Sequence, residues 1–282
     1  MQIVSVYRCS FGYIITYKCV ASTVLLTILL FWTIPCSIWR LDATYMKLNA
    51  RIGFIIMLFN TPVYISNVVV SASRLITVAA PSKSHWFSGR RTTHILIFVS
   101  VVSVTYSLLY FPEDCSMYFN SEDMLFYFAK TECGELVAFY GDFLTGVSMF
   151  TVCLVMDLVS ILYLRRARKR VGNSLAIGKK KERFKREVVM TVQTFINTSL
   201  FYIMVFSYHY AYALFSACPL VVFLSTNFLW SVVIASGGYT AVFINKDLRG
   251  TLMHPSRLYG RKLTSESILT HRTPCPTELV RG

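Results

Sequence analysis

Residues 188–245 read VVMTVQTFINTSLFYIMVFSYHYAYALFSACPLVVFLSTNFLWSVVIASGGYTAVFIN, which is 58 consecutive residues without Asp, Glu, Lys or Arg. As one helix this segment would be about 87 Å long, whereas about 20 apolar residues already cross the hydrocarbon core of a bilayer. The segment therefore predicts two membrane-spanning helices that fold back on each other around residues 207–219.

Four more stretches, all upstream, have the length and apolar character of membrane spans. They are residues 19–39, 52–73, 94–112 and 136–164. The composition agrees with these spans, because 55% of the 282 residues are hydrophobic and only 15% are charged, whereas about a quarter of the residues in a soluble domain are charged. We predict an all-α membrane protein with six membrane-spanning helices.

The positive charges of the chain concentrate on one side of the predicted helices. The loops 74–94 and 165–187 and the tail 246–282 contain 4, 11 and 7 Lys and Arg residues. Together with Arg8 and Lys18 they place 24 positive charges on one side, against 4 on the other. Because Lys and Arg accumulate on the cytoplasmic side of membrane proteins, both ends of the chain are predicted to be cytoplasmic.

This topology also accounts for the formal net charge of +14. The charges flank the spans and do not form the basic face that nucleic acids bind, so the predicted partner is the lipid bilayer and not a nucleic acid. The predicted organisation is a short cytoplasmic N-terminus at residues 1–10, a transmembrane bundle at 11–251 and a disordered cytoplasmic tail at 252–282. The tail mixes Ser, Thr, Pro and Arg without apolar periodicity, as disordered segments do.

Enzymatic and metal sites are not predicted. Asp142 and Asp157 lie about 22 Å apart along one helix, too far to share a proton as paired catalytic carboxylates do. No two of the five histidines are three or four residues apart, and the eight cysteines contain no CxxC spacing. Helical and ribbon metal sites need such spacings, so we predict neither catalysis nor a cofactor or metal.

Short signatures recur at the ends of the predicted helices. They are Ser10-Phe11-Gly12, Trp32-Thr33-Ile34-Pro35, Ser73-Arg74, Ala80-Pro81, Phe87-Ser88, Thr92, Cys133, Tyr140, Asp142-Phe143, Asp157, Arg186-Glu187, Gln193, Phe243 and Asn245-Lys246-Asp247-Leu248-Arg249. In this order, over nearly the whole chain, they resemble the nematode serpentine receptors of class X. The resemblance implies a rhodopsin-like seven-helix bundle. Because Ser10-Phe11-Gly12 match the start of the family's second helix, the first helix is expected to be missing from this chain.

The resemblance also implies a function, which is that of a chemosensory G-protein-coupled receptor. Such a receptor detects a small external ligand and signals through a cytoplasmic heterotrimeric G protein, in the plasma membrane or a sensory cilium. A truncated chain would instead be retained in the endoplasmic reticulum. Residues that the resemblance assigns to coupling or switching are Arg74, Asp157, Arg186, Asn245 and Arg249.

Two of these residues have a simpler structural interpretation. Arg74, at the predicted cytoplasmic end of a helix, is also explained by the excess of positive charge on that side. Asp157 lies about 12 Å inside the membrane from Arg165, a depth at which a carboxyl group needs a polar partner. It could serve as a switch contact or as a structural hydrogen bond. Ser73 and residues 235–238 also depart from the pattern that the family has at these positions.

Aromatic and polar residues at the outer helix ends are the candidates for ligand binding. They are Tyr106, Tyr110, Tyr140, Asp142, Tyr208 and His209. Aromatic belts at the lipid interface produce the same pattern. The alternative is an outward-opening pocket with aromatic walls, which would suit a small and largely apolar ligand.

Three cysteines are candidates for a disulfide at the outer face. Cys115 and Cys133 share the loop 112–135, which faces an oxidising compartment under the predicted topology. They could pair with each other, or either could pair with Cys36 at an outer helix end. The sequence leaves these alternatives open.

Two other functions are consistent with six spans. A channel or carrier subunit would need polar residues along a conduction path, and the predicted spans offer only Asp142 and Asp157, both on one helix. A nonfunctional receptor remnant is the other alternative.

Overall fold

The computed structural model describes residues 10–39, 45–87, 89–172, 178–215 and 218–244. Six helices within these ranges are long and apolar enough to cross a membrane, which confirms the six predicted spans. Helices α2, α3 and α5 extend over Met46–Ala79, Gly89–Ser107 and Gly178–Phe215. Each of the other three consists of two α-helical parts joined by a π-helical segment. In α1 these are Ser10–Ile28, π-helical Leu29–Thr33 and Ile34–Ile38; in α4, Glu132–Leu136, π-helical Val137–Leu144 and Thr145–Gly172; in α6, Pro219–Phe223, π-helical Leu224–Phe228 and Leu229–Ile244.

Helix α2 is the centre of the bundle. In its most apolar stretch 56% of the residues are buried, against 22% in the corresponding stretch of α3. Helix α2 packs against α1, α3, α4 and α5. Helix α6 closes the ring by packing against both α5 and α1. Rings of Tyr64, Phe150 and Phe201, one each from α2, α4 and α5, fill the core with centroids 5.0 to 6.1 Å apart.

Two predicted helix boundaries are wrong, and both involve a buried cation. Lys18 was counted as a cytoplasmic flank, but it lies within the span Gly12–Ile38 and is only 6% exposed. Helix α2 continues to Ala79, so Arg74 lies inside the helix and not at its end. Without Lys18, 23 positive charges (24 − 1) lie on the predicted cytoplasmic side and 4 on the other. The excess that predicts the orientation is therefore almost unchanged.

The ends of the predicted domains are only partly described. Helix α5 extends to Phe215 and α6 begins at Pro219, so the chain folds back at the far end of the predicted 207–219 range. Residues 1–9 and the predicted tail at 252–282 lie outside the described residues.

A two-stranded β-hairpin between α3 and α4 was not predicted from the sequence. Strands β1 (Met117–Asn120) and β2 (Leu125–Phe128) pair antiparallel, with Met117 opposite Phe128 and Asn120 opposite Leu125. Met117 and Phe119 of β1 and Leu125 and Phe126 of β2 are buried. The hairpin therefore belongs to the core of the bundle and is not a solvated loop.

The π-helical segments of α4 and α6 release backbone carbonyls that side chains then bind. In α4 the Thr145 hydroxyl donates to the carbonyl of Tyr140 over 2.8 Å, and the Tyr106 hydroxyl of α3 donates to the carbonyl of Gly141. In α6 the Ser225 carbonyl accepts from the Ser207 hydroxyl of α5 over 2.5 Å. Single π-turns inside α-helices often lie at functional sites, and the segment in α4 borders the cavity described below.

Candidate functional site

The hairpin is bonded to α2 through an asparagine that imitates a neighbouring strand. The Asn49 Nδ2 donates to the carbonyl of Phe119 over 2.7 Å, and its Oδ1 accepts from the Phe119 backbone N–H over 3.0 Å. The Trp32 indole N–H of α1 also donates to this Oδ1 over 3.1 Å. The carboxamide thus satisfies both peptide groups of Phe119 and ties β1 to two helices.

Two further helices hold the hairpin by its second half. The Tyr208 hydroxyl of α5 donates to the carbonyl of Phe126 over 2.8 Å, and the Asn227 Nδ2 of α6 donates to the carbonyl of Met124 over 2.5 Å. With the Asn49 contact, helices α2, α5 and α6 all bind hairpin backbone. The hairpin therefore covers the space that these helices enclose.

Replacing Asn49 with leucine should loosen this cover. The substitution leaves the buried N–H and C=O of Phe119 without their partner, and each such group costs about 1–3 kcal/mol. We expect the thermal unfolding midpoint of the purified protein to fall by several degrees. The same measurement on Leu48→Ala, an exposed neighbour, should show little change, and an equal fall in both variants would contradict the role assigned to the carboxamide.

A disulfide fixes the base of the hairpin to the start of α4. Cys115 and Cys133 are joined, with their Cα atoms 5.0 Å apart, and Cys36 is a free buried thiol. Of the pairings that the sequence left open, this is the one present in the structure. Beside it, the Thr131 hydroxyl caps α4 by accepting from the Gly134 N–H over 3.1 Å.

A cavity lies directly beneath the hairpin. It is lined by Met57, Asn60, Tyr64, Met117, Asp142, Met204, Val205, Tyr208, His209 and Trp230. A second, adjacent cavity shares Met57, Asn60, Tyr64 and Asp142 with the first, and Tyr106 and Gly141 are among its other walls. The volumes of about 20 and 10 Å³ each suit about one water molecule, so a larger guest requires side chains to move.

An ionisable pair lies in the wall of the first cavity. The His209 Nε2 of α5 is 3.1 Å from the Asp142 Oδ2 of α4, and both side chains are less than a fifth exposed. Asp142 belongs to the π-helical segment, and the Phe143 ring packs edge-on against the imidazole at 4.8 Å. This pair joins two helices at the level of the cavity.

Four of the six predicted ligand-binding residues line these cavities. They are Tyr106, Asp142, Tyr208 and His209. Tyr110 is buried beside Tyr106, with ring centroids 6.1 Å apart, but lines neither cavity. Tyr140 is 57% exposed and lines neither cavity. Sequence reasoning missed Asn60, Trp230 and Met117. A polar residue inside an apolar span was a signal for Asn60 alone.

The predicted switch residues lie in the opposite half of the bundle. Asp157 is fully buried and accepts at its Oδ2 from the Thr198 hydroxyl of α5 over 3.1 Å. Arg74 is 5% exposed, with its Nη2 3.3 Å from the sulfur of Met190 of α5. The predicted position of Arg74 at a helix end is wrong, because α2 extends past it to Ala79 and Met190 of α5 contacts it.

The other three predicted coupling residues lie beyond what can be described. Arg186 belongs to the α5 backbone, but its side chain is outside the described part of the chain, as are Asn245 and Arg249. Their predicted roles remain predictions.

A polar cluster around Lys18 joins four helices and was not predicted. The Lys18 Nζ of α1 donates to the Asn67 Oδ1 of α2 over 2.6 Å and lies 5.4 Å from the Phe201 ring centroid. The same Oδ1 accepts from the Asn197 Nδ2 of α5 over 3.3 Å, and the Ser236 hydroxyl of α6 donates to the Asn197 Oδ1 over 3.2 Å. Lys18 forms no salt bridge with the residues that the structure describes.

Comparison with known proteins agrees with this architecture. The family model "Serpentine type 7TM GPCR chemoreceptor Srx" matches residues 2–245. The chain is also 21% identical to serpentine receptor class X 45 of Caenorhabditis elegans over 287 aligned positions, which cover 96% of this chain and 77% of that protein. The resemblance seen in the helix-end signatures is thereby confirmed, and the chain belongs to the Srx family of serpentine-type seven-transmembrane chemoreceptors.

Proposed function

We propose that this multi-pass membrane protein binds a small external ligand beneath the β-hairpin and signals through a cytoplasmic heterotrimeric G protein. The observation that carries the proposal is the cavity at Asp142 and His209, which residues of α2, α4, α5 and α6 line together with Met117 of the hairpin. Concave sites with apolar walls and a few convergent polar groups are typical of ligand pockets. Membership of a chemoreceptor family supports the same function.

The walls of the cavity indicate a ligand that is largely apolar. Met57, Met117 and Met204 line it together with aromatic rings. Methionine side chains are flexible and adapt to the shape of a guest, so they can make room where the present volume suits about one water. Since Met117 belongs to the hairpin, ligand entry is proposed to displace β1 as well.

Helix α5 connects the cavity with the cytoplasmic half. His209 lies 11 residues from Thr198, or about 17 Å along the helix, and Thr198 bonds Asp157. A ligand that shifts α5 at His209 would strain this bond and the contact between Arg74 and Met190. Separating α5 from α2 would expose Arg74 to the cytoplasm, where a G protein can bind it. A ligand drives such a change only if it binds the open state more tightly.

The role of Arg74 can be tested by Arg74→Ala in cells that express the chain with a G-protein reporter. Compounds that activate the wild type, found by screening a small-molecule library, should lose at least about 90% of their maximal response at equal surface expression. The reason is that the exposed guanidinium supplies charge-assisted hydrogen bonds to the partner, worth about 1.5–3 kcal/mol. Plasma-membrane localisation is measured in the same cells.

Lys83→Ala is the matched control, because Lys83 is an exposed cation on the same side of the bundle. It should leave the response unchanged. A response that survives Arg74→Ala, or ion currents that need no G protein, would count against the proposed mechanism and favour a channel or carrier.

A further inference from the structure

Two buried polar atoms without a partner belong to residues that line the cavity beneath the hairpin. The Asn60 Oδ1 of α2 and the Trp230 Nε1 of α6 form no hydrogen bond within the described part of the chain. Asn60 is 2% exposed and Trp230 is 4% exposed, so bulk water does not satisfy them. Both side chains form part of the wall. The cavity is thus bordered by one hydrogen-bond acceptor and one donor from different helices.

Buried polar atoms without partners are rare in folded proteins, and each calls for a specific explanation such as a bound molecule. Two neighbouring polar residues are already engaged, because Tyr208 bonds Phe126 and His209 bonds Asp142. An acceptor and a donor on two residues that line one cavity are complementary to a group that donates to Asn60 and accepts from Trp230. A hydroxyl group does both with one oxygen.

Ketones, esters, ammonium groups and carboxylates satisfy only part of this arrangement. A ketone or ester accepts from Trp230 but leaves the Asn60 oxygen without a donor. An ammonium group donates to Asn60 but offers Trp230 no acceptor. A carboxylate places negative charge beside Asp142 and sets its oxygen against the Asn60 acceptor.

We infer that the cavity beneath the hairpin binds a neutral alcohol, whose hydroxyl lies between Asn60 and Trp230 and whose apolar body packs against the methionines. The cavity volume of about 20 Å³ matches one water-sized oxygen, so the hydroxyl fits the present space. The apolar body takes the space that Met57, Met117 and Met204 vacate. This inference rests on the proposed function, since it names the chemical class of the proposed ligand.

The experiment compares compounds of matched length on the full chain in reporter cells. The probes are the straight-chain primary alcohols of four to ten carbons, and for each length the methyl ketone, the alkylamine, the carboxylate and the alkane. Loss of one hydrogen bond in a buried site corresponds to at least about a tenfold weaker response. We expect the best alcohol to act at concentrations at least about tenfold lower than its matched ketone, amine, carboxylate and alkane.

Two variants then test the assigned atoms. Asn60→Leu removes the acceptor and Trp230→Phe removes the donor while retaining an aromatic ring, so each should abolish most of the advantage of the alcohol over the alkane. Val232→Ala, at an exposed position of the same helix as Trp230 and outside the cavity wall, should retain it. The comparison of compounds on the wild type remains decisive even if a variant fails to reach the cell surface.

The outcomes distinguish a failure of the alcohol assignment from a failure of the proposed receptor function. Responses that do not depend on the hydroxyl, or that both variants leave unchanged, overturn the alcohol assignment and leave the receptor proposal standing. If no probe of any class acts on a receptor present at the surface, while compounds from the wider library do, the alcohol assignment alone falls. If nothing in either set acts, both fall.

Discussion

Replacing Gly53 with alanine should be among the most damaging single-methyl changes in this protein. A Cβ atom at Gly53 would lie 1.7 Å from the carbonyl oxygen and 2.7 Å from the carbonyl carbon of Met117. These are backbone atoms of β1, so no side-chain rotation relieves the overlap. Either the hairpin leaves α2 or the helix shifts, and both break the contact between Asn49 and Phe119 that lies one turn away.

We expect Gly53→Ala to lower the free energy of unfolding by at least about 3 kcal/mol, the upper end of the range for most single mutations. The measurement is thermal unfolding of the purified protein in detergent. Displacement of the hairpin can be observed directly with a cysteine at position 117, because Met117 is buried in the wild type. In the Gly53→Ala background this cysteine should react with a thiol reagent much faster than in the wild-type background.

Gly238→Ala is the matched control, since a Cβ at Gly238 meets nothing within 4 Å. Alanine also favours the helix by about 1 kcal/mol over glycine, so this variant should unfold at the same temperature or a higher one. Wild-type stability in Gly53→Ala would mean that β1 does not pack against α2 as described.

The helices could be predicted from sequence because each must be apolar over the thickness of the bilayer. An apolar stretch of about 20 residues suffices to identify a span, and this gave all six. The errors at Lys18 and Arg74 have one cause, which is that charged residues were taken to mark the ends of spans. Inside a bundle, neighbouring helices supply polar partners, such as Asn67 for Lys18, and a single sequence does not reveal these partners.

The hairpin escaped prediction because its signal is short. Each strand has four residues, and the alternation of Met117 and Phe119 with Tyr118 and Asn120 is too brief to separate a strand from a loop. Its burial depends on Asn49, about 70 residues earlier in the chain. Long-range contacts of this kind are not encoded in local patterns.

Only part of the candidate site could be predicted from the sequence, because the contacts that form it are also long-range. Asp142 and His209 stood out as ionisable residues near the outer ends of apolar stretches, and the structure brings them together. Asn60 and Trp230 did not stand out, because the rotation of a helix decides whether a residue faces lipid or a cavity. The π-helical segment of α6, which ends two residues before Trp230, alters that rotation locally, and its position could not be derived from the sequence.

Lys18 and Asn67 should show the strongest energetic coupling in the bundle. The ammonium group of Lys18 is buried, and its one hydrogen bond among the described residues is the 2.6 Å bond to the Asn67 Oδ1. Asn67→Leu removes that acceptor and leaves a charge in the core that still lies over the Phe201 ring. Removing one partner of a buried charge costs about 3–5 kcal/mol, and we expect a loss of this size in thermal unfolding.

Lys18→Met should leave the stability unchanged or raise it, although it removes a charged group from the centre of the protein. Methionine has a similar length and needs no polar partner, so the desolvation of the ammonium is relieved. Comparable replacements are neutral or stabilising by about 1–4 kcal/mol. The Asn67 oxygen still accepts from Asn197 and is not left alone.

The double variant Lys18→Met/Asn67→Leu decides between a specific bond and general packing. If the damage in Asn67→Leu comes from the stranded ammonium, removing Lys18 as well should restore most of the lost stability, with a coupling energy of at least about 2 kcal/mol. The four proteins are compared by thermal unfolding in the same detergent. If the effects of the two single substitutions simply add in the double variant, Asn67 stabilises the protein through packing or through Asn197. The hydrogen bond from a charged Lys18 would then not be the source of its effect.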